Sequence, residues 1–333
     1  MAEEATGWGG GLWAAADLVT PMAIRAAATL RLADHIAAGA HTVQALAELV
    51  GADPDALGRV MGHLTAAGVL SRTEPGAFGL TELGERLRTD DPEGVRAWLD
   101  LDGAIGRADL CFTELLHTVR TGEPAFARRF GRTFWEDLSA DPVRSHSFDA
   151  LMGARLAADA PVVAEVYPWG ALGSVVDVGG GNASLLIAIL RAHPDLRGTV
   201  LDLEGPIGRA EQAFAAADFA DRATARVGSF FDPLPAGAGG YILSGVLHDW
   251  DDGHARRILH RCAEAAADTG KVLVVDHLGA QQDTEGDLRM LCYVNGRERD
   301  AEELARLAGT VGLRIAATVP AGSRTIIELV AQR

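Results

Sequence analysis

The stretch Ser174-Val175-Val176-Asp177-Val178-Gly179-Gly180-Gly181-Asn182-Ala183 decides the fold. Val175, Val176 and Val178 have the β-branched, apolar character of a buried strand, and residues 184–193 read as a helix. The glycines between them let the backbone approach a ligand closely, while the helix N-terminus offers free N–H groups. Strand, triglycine and helix together make a nucleotide-binding turn.

Downstream the same alternation continues. Thr199-Val200-Leu201-Asp202-Leu203 reads as the next strand, and its Asp202 stands 21 positions after Gly181. A carboxylate there can take both hydroxyls of a ribose. Further strands are expected at residues 225–227, 240–243, 271–276, 314–319 and 325–330. Alternating strands and helices predict an α/β fold with a Rossmann-like, mostly parallel, doubly wound sheet.

The turn and Asp202 point to an adenosine-containing cofactor. A dinucleotide fingerprint would need glycine or alanine at position 184, where Ser184 stands. The acid-x-G-x-G-x-G pattern of S-adenosylmethionine enzymes fits from Asp177 through Gly179 and Gly181, with Ala183 in place of the last glycine. S-adenosylmethionine is therefore favoured over a nicotinamide cofactor.

A second informative stretch is Leu247-His248-Asp249-Trp250-Asp251-Asp252, which follows the strand-like residues 240–244. His248 thus falls at the carboxyl end of a strand, where open α/β sheets hold their ligands. Its unperturbed pKa suits proton abstraction near neutral pH. Asp249 and Asp251 read as helix-capping or solvated groups.

The N-terminal hundred residues have another texture. An amphipathic segment at 42–49, the turn Gly51-Ala52-Asp53-Pro54, and a segment at 55–67 with Leu57, Val60, Met61 and Leu64 at helical spacing come first. A small hairpin at 69–81, turning at Pro75-Gly76, completes a winged-helix pattern. A DNA-reading second helix would present basic residues. Here Asp53, Asp55, Arg59 and His63 are mixed in sign, so a packing or dimerisation module is expected. The domain reading is a winged-helix-like module at 1–100, a helical connector at 101–167, and the cofactor-binding sheet at 168–333.

Composition narrows the function. The 333 residues carry 30 Lys+Arg against 46 Asp+Glu, a net charge of −16, which repels a phosphate backbone. No apolar run reaches membrane-spanning length, and Glu3 and Glu4 stand where a signal peptide would carry positive charge. Cys111, Cys262 and Cys292 show neither metal-ligand spacing nor a disulfide framework, so no metal and a reducing cytoplasm are expected.

With these residues assembled, the chain resembles the O-methyltransferases of the caffeic-acid and flavonoid class, in their bacterial branch that decorates aromatic polyketides and related secondary metabolites. Nearly the whole chain takes part. The motifs are the winged-helix module, Gly122-Glu123-Pro124 and Phe134-Trp135 in the connector, the triglycine turn, Leu247-His248-Asp249-Trp250, and Gly296-Arg297-Glu298-Arg299. The resemblance implies a class I methyltransferase sheet, a homodimer built through the N-terminal module, and a small aromatic substrate whose pocket the partner chain helps to form.

The resemblance also implies roles. His248 is like the general base that deprotonates a phenolic or enolic hydroxyl, with Asp276 and Glu298 like the acids that orient it. Asp177, Gly179, Gly180, Gly181, Asp202, Leu203, Ser229, Phe230, Ser244 and Trp250 are placed like the S-adenosylmethionine contacts. Phe112, Phe148, Met152 and Met290 suggest an apolar pocket for a flat acceptor. One departure concerns Ser229, which stands where relatives carry an aspartate for the adenine amino group. It exchanges a charge-assisted hydrogen bond for a neutral one, at a cost of roughly 1 kcal/mol. Asp276 is shorter than the usual glutamate, and Gly245 lies near a position that is often basic. Two alternatives stay open. One is same-fold chemistry without methylation (hydroxylation, decarboxylation or rearrangement), and the other is a winged-helix regulator that binds a small molecule.

Overall fold

The computed structural model describes residues 11–278 and 283–332, so Glu3 and Glu4 lie outside the described residues. Two compact units divide between Arg107 and Ala108.

In the first unit, Thr42 caps the helix Val43–Val50 by accepting the Ala45 N–H, and Gly51 ends it in the left-handed region. Asp53 caps Pro54–Ala66 in the same way, with proline at the first helical position, where its missing N–H costs nothing. Leu57, Met61 and Leu64 are the buried face of that helix. The wing follows as an antiparallel pair, β1 (Leu70–Glu74) and β2 (Ala77–Leu80), in which Arg72 pairs with Phe78. The exposed Asp55–Arg59 ion pair confirms a second helix of mixed charge.

The second unit begins with helices, among them Ala125–Phe130, Phe134–Ser139 and Pro142–Ala157. It then builds one seven-stranded sheet. Its strands are β3 (Ser174–Val178), β4 (Arg197–Asp202), β5 (Ala223–Val227), β6 (Gly240–Ser244), β7 (Lys271–Asp276), β8 (Leu313–Ala321) and β9 (Arg324–Ala331), in the order β5-β4-β3-β6-β7-β9-β8. The first five are mutually parallel, and β9 enters antiparallel between β7 and β8. Helices cover both faces, since two separate apolar cores form, one around Leu186 and Ile189 and the other around Ile258 and Leu259. β6 is central, and Tyr241, Ile242 and Leu243 have no exposed surface. Each such side chain contributes about 1.5–3 kcal/mol.

This topology positions the site. All five parallel strands end on one edge, at Val178, Asp202, Val227, Ser244 and Asp276. The expected strand at 199–203 starts two residues earlier, and Leu203 leaves it to cap the helix Glu204–Ala216. No helix among the described residues is long and apolar enough to cross a membrane.

Candidate active site

The triglycine turn is shaped by close approach. Gly179 (φ 75°) donates its N–H to Leu201 O at 2.8 Å, and a Cβ on it would press on Val246 and the Phe230 ring. A Cβ on Gly180 would lie 2.5 Å from the Asp177 carboxylate. Gly181 (φ 58°) donates to Asp202 Oδ2 at 2.8 Å, while Leu203 donates to the Oδ1 of the same carboxylate at 2.7 Å. Ala183, the departure in the glycine pattern, takes φ 65° at the helix N-cap, and its methyl is buried in the core. The strain of an alanine there, about 1–2 kcal/mol, is partly offset by that burial.

Asp177 has both carboxylate oxygens buried without a hydrogen-bond partner among the described residues. Burial, and then the charge of Asp202, push it up to about 7. Asp202 is also raised by burial, against the opposing pull of its two backbone N–H donors. Two carboxylates thus face the same turn with unused acceptor capacity. Ser229 follows β5, and its Oγ accepts the Phe231 N–H at 3.2 Å. Phe230 and Phe231 meet the Trp250 ring edge-on, with centroids 5.8 and 4.9 Å away. Ser244 closes β6 directly before Gly245, whose φ of 63° redirects the chain toward His248.

His248 sits on a short 3-10 turn, Leu247–Asp249. Its Nδ1 lies 3.3 Å from Asp276 Oδ1, at the end of β7, and 3.6 Å from Glu298 Oε1. On the other ring edge, Nε2 lies 3.5 Å from Asp249 Oδ1. Burial opposes the imidazolium, but the carboxylates of Asp276 and Asp249, and then Glu298, outweigh it and raise His248 to about 10. Burial is also the largest influence on its partners. It raises Asp249 to about 7 and raises Glu298, whereas the His248 charge keeps Asp276 below its ordinary value.

One expectation fails here. Asp251 does cap the next helix, accepting the His254 N–H at 2.9 Å, but Asp249 neither caps nor faces solvent freely. The 3-10 turn rotates its side chain onto the histidine, a local geometry that alternating polar residues do not signal.

A residue that sequence reasoning left without a role is Arg299. Its guanidinium donates to Leu247 O and Trp250 O, both at 2.7 Å, and to Asp252 Oδ1. Arg297 N–H meets His248 O at 2.8 Å, and a Cβ on Gly296 would collide with that carbonyl. Glu298 N–H is held by Asp287 Oδ1 at 2.9 Å. The Gly-Arg-Glu-Arg motif is therefore a clamp on the histidine turn as well as the source of Glu298.

Beside this turn the aromatic side chains form one continuous array. Trp135 lies nearly parallel to Trp250 with centroids 6.3 Å apart, and meets Phe148 edge-on. Phe134 links Phe148 to Tyr293, and Tyr293 reaches Phe112. Phe112 and Phe148 are thus brought together, with Trp135 and Tyr293 as members that the sequence reading did not select. Met152 lies on the helix Pro142–Ala157 and Met290 on Thr284–Val294, both partly buried. Tyr293 donates its hydroxyl to Asp109, which also pairs with Arg289.

Comparison with known proteins places the chain in a family. The O-methyltransferase domain matches residues 112–314, and the O-methyltransferase dimerisation domain matches residues 13–90. The chain is 54% identical, over 96% of its length and 97% of the relative's, to the 2,7-dihydroxy-5-methyl-1-naphthoate 7-O-methyltransferase of Streptomyces carzinostaticus. It is 48% identical, over 93% of its length and 85% of the relative's, to the aclacinomycin 10-hydroxylase RdmB of Streptomyces purpurascens. The crystal structure of the neocarzinostatin-pathway O-methyltransferase NcsB1, in complex with S-adenosylmethionine and 2-hydroxy-5-methyl naphthoic acid, superposes with a TM-score of 0.94. It is 54% identical and covers 96% of this chain and 98% of its own. The chain belongs to the O-methyltransferase family, with that family's dimerisation domain at its N-terminus.

Proposed function

We propose that the chain transfers the methyl group of S-adenosylmethionine to a phenolic hydroxyl of a bicyclic aromatic acid of the hydroxynaphthoate kind, with His248 as general base. The observation that carries this reading is the histidine whose Nδ1 faces Asp276 and Glu298 and whose Nε2 lies on the opposite edge, 3.5 Å from Asp249 Oδ1.

The residues fit the cofactor. Asp177 offers a buried carboxylate without a hydrogen-bond partner among the described residues, which an ammonium group would satisfy, and Asp202 keeps acceptor capacity for ribose hydroxyls. Gly181 borders open space, Gly179 and Gly180 pack too closely on their neighbours to carry a side chain, and Phe230 and Trp250 supply apolar walls. Leu203, Ser229 and Ser244 border the same strand edge. Bound there, S-adenosylmethionine supplies an electrophilic methyl on a positively charged sulfur.

What remains falls to the chain. In its neutral form His248 takes the acceptor proton at Nε2. Against the effect of burial, the surrounding carboxylates favour the imidazolium that results, so the fraction able to accept a proton rises with pH. Asp276 and Glu298 stabilise the imidazolium and fix the ring. The array of Phe112, Phe134, Trp135, Phe148 and Tyr293, with Met152 and Met290 nearby, suits a flat acceptor and excludes water from the displacement. Leu12, Trp13, Leu18 and Val19 are exposed apolar residues of the N-terminal unit and support a homodimer.

The similarity to a hydroxylase favours a second reading, same-fold hydroxylation. Incubation with S-adenosylmethionine and hydroxynaphthoic acids, read by mass spectrometry, separates the two. A gain of one methylene with release of S-adenosylhomocysteine supports methyl transfer, whereas a gain of one oxygen overturns it. His248→Ala is expected to slow methylation by about 10²–10⁴-fold.

A further inference from the structure

We propose that His248, Asp276 and Glu298 also form a three-ligand zinc site, and that Zn2+ bound there switches the enzyme off. The inhibitory part of the proposal rests on the reading of His248 as the base.

Ligand spacing is the first argument. His248 Nδ1 is fully buried and has no hydrogen-bond partner among the described residues, although Asp276 Oδ1 lies 3.3 Å and Glu298 Oε1 3.6 Å away. These contacts are long or misdirected for hydrogen bonds. They match a tetrahedral zinc site, where metal–ligand distances of about 2.0–2.2 Å place neighbouring ligand atoms about 3.3–3.6 Å apart. The three ligand atoms all lie within 4.8 Å of one another.

Space and support are the second argument. A cavity of about 20 Å³ is lined by these three residues together with Leu247, His277, Leu278, Arg297 and Arg299. That volume takes one water or one ion and no aromatic acceptor. The ligands come from three separate elements, and two are fixed from behind. Asp276 Oδ1 also accepts the His277 N–H at 2.9 Å, and the Glu298 backbone is tied to Asp287. Such support orients metal ligands.

Charge and donor type select the ion. Arg297 and Arg299 also line the cavity, but their guanidinium groups are engaged by Glu303 and Asp252. The carboxylates of Asp276 and Glu298, with Asp249 nearby, therefore attract a dication, and an imidazole nitrogen in a three-ligand set favours zinc over magnesium or calcium. Once Nδ1 is metal-bound, a neutral ring carries its proton on Nε2. It can then accept nothing from the substrate hydroxyl. Zinc on this trio is an inhibitor rather than a cofactor.

The test uses the chelator-treated full chain, titrated with Zn2+ by calorimetry and with Co2+ by visible absorption. One ion per chain is expected, with the bands of four-coordinate Co2+. Binding disappears in His248→Ala and weakens at least about tenfold in Glu298→Gln, while both variants still bind S-adenosylhomocysteine and so are folded. In the unaltered chain, Zn2+ also protects His248 from diethyl pyrocarbonate, read by peptide mass mapping. Zinc uptake by His248→Ala equal to that of the parent, or methylation undiminished at saturating zinc, overturns the proposal. Absence of methylation in the chelator would instead refute the methyl-transfer reading, and leaves the metal-binding result to stand by itself.

Discussion

Asp249 Oδ1 lies 3.5 Å from His248 Nε2, on the ring edge opposite Asp276 and Glu298. A hydroxyl that approaches Nε2 therefore meets a carboxylate as well as an imidazole. Burial raises Asp249 to about 7, with His248 opposing the shift, so near neutrality it can donate or accept a hydrogen bond. Asp249→Asn keeps the shape and removes the charge. A charge-assisted bond is worth about 1.5–3 kcal/mol, which predicts a fall in kcat/KM of roughly ten- to a hundredfold with cofactor affinity unchanged. Steady-state kinetics with unaltered kcat/KM would reduce Asp249 to a space-filling role.

Arg299 governs the same turn from behind. Its guanidinium is buried and satisfies the carbonyls of Leu247 and Trp250, the two residues that bracket His248 and Asp249. Arg299→Ala leaves both carbonyls and Asp252 without this partner. Charged hydrogen bonds of this kind contribute about 1.5–3 kcal/mol each, and water recovers part of the loss. A destabilisation of about 3 kcal/mol is expected in urea unfolding, and turnover should fall further than the folded fraction does. Equal stability of parent and variant would show that the turn holds its shape without the clamp.

The cofactor turn makes a sharper steric prediction. A methyl group on Gly180 would stand 2.5 Å from Asp177 Cγ and 2.8 Å from Val200 Cγ2, both buried in the sheet edge. Gly180→Ala must move the Asp177 carboxylate or the turn itself. Affinity for S-adenosylhomocysteine is expected to drop at least about tenfold, with a stability loss of about 1–3 kcal/mol from overpacking. Calorimetric binding indistinguishable from the parent would mean that Asp177 is not a cofactor contact.

Much of this was legible because two local patterns are written plainly in the chain. The apolar runs of β3, β6 and β7 mark strands buried on both faces, and the glycines after β3 mark a backbone approach that side chains would block. His248 and Glu298 are far apart in sequence, and only the resemblance joined them. The structure joins them through hydrogen bonds from Arg297 and Arg299 to the histidine turn. Asp249 was misread because its direction depends on a three-residue 3-10 turn. Trp135 and Tyr293 were passed over since an aromatic on a helix is core by default. Their place in the array depends on three helices meeting, which no local pattern encodes.

Asp177 links the site to pH. Its folded pKa of about 7 stands above the ordinary 3.8, raised by burial and then by Asp202, so the folded chain binds a proton that the unfolded chain has released. The sign follows from that difference. The cost of the buried charge is absent below about pH 3.8, grows as pH rises, and is complete above about pH 7. A shift of roughly three units sets its upper limit at about 4 kcal/mol. Asp177→Asn should therefore be more stable than the parent above pH 7 and equal to it in acid, in urea unfolding at both ends. Cofactor binding has the opposite requirement, because an ammonium group needs the ionised carboxylate. Below pH 7 the parent must release a proton on binding S-adenosylhomocysteine, and its affinity should fall by up to about tenfold per pH unit. In Asp177→Asn the affinity should be weaker and flat with pH. Calorimetry in two buffers of different ionisation enthalpy counts the proton directly. Parent binding without proton release near pH 6 would place the ammonium group elsewhere and leave Asp177 as a buried structural acid.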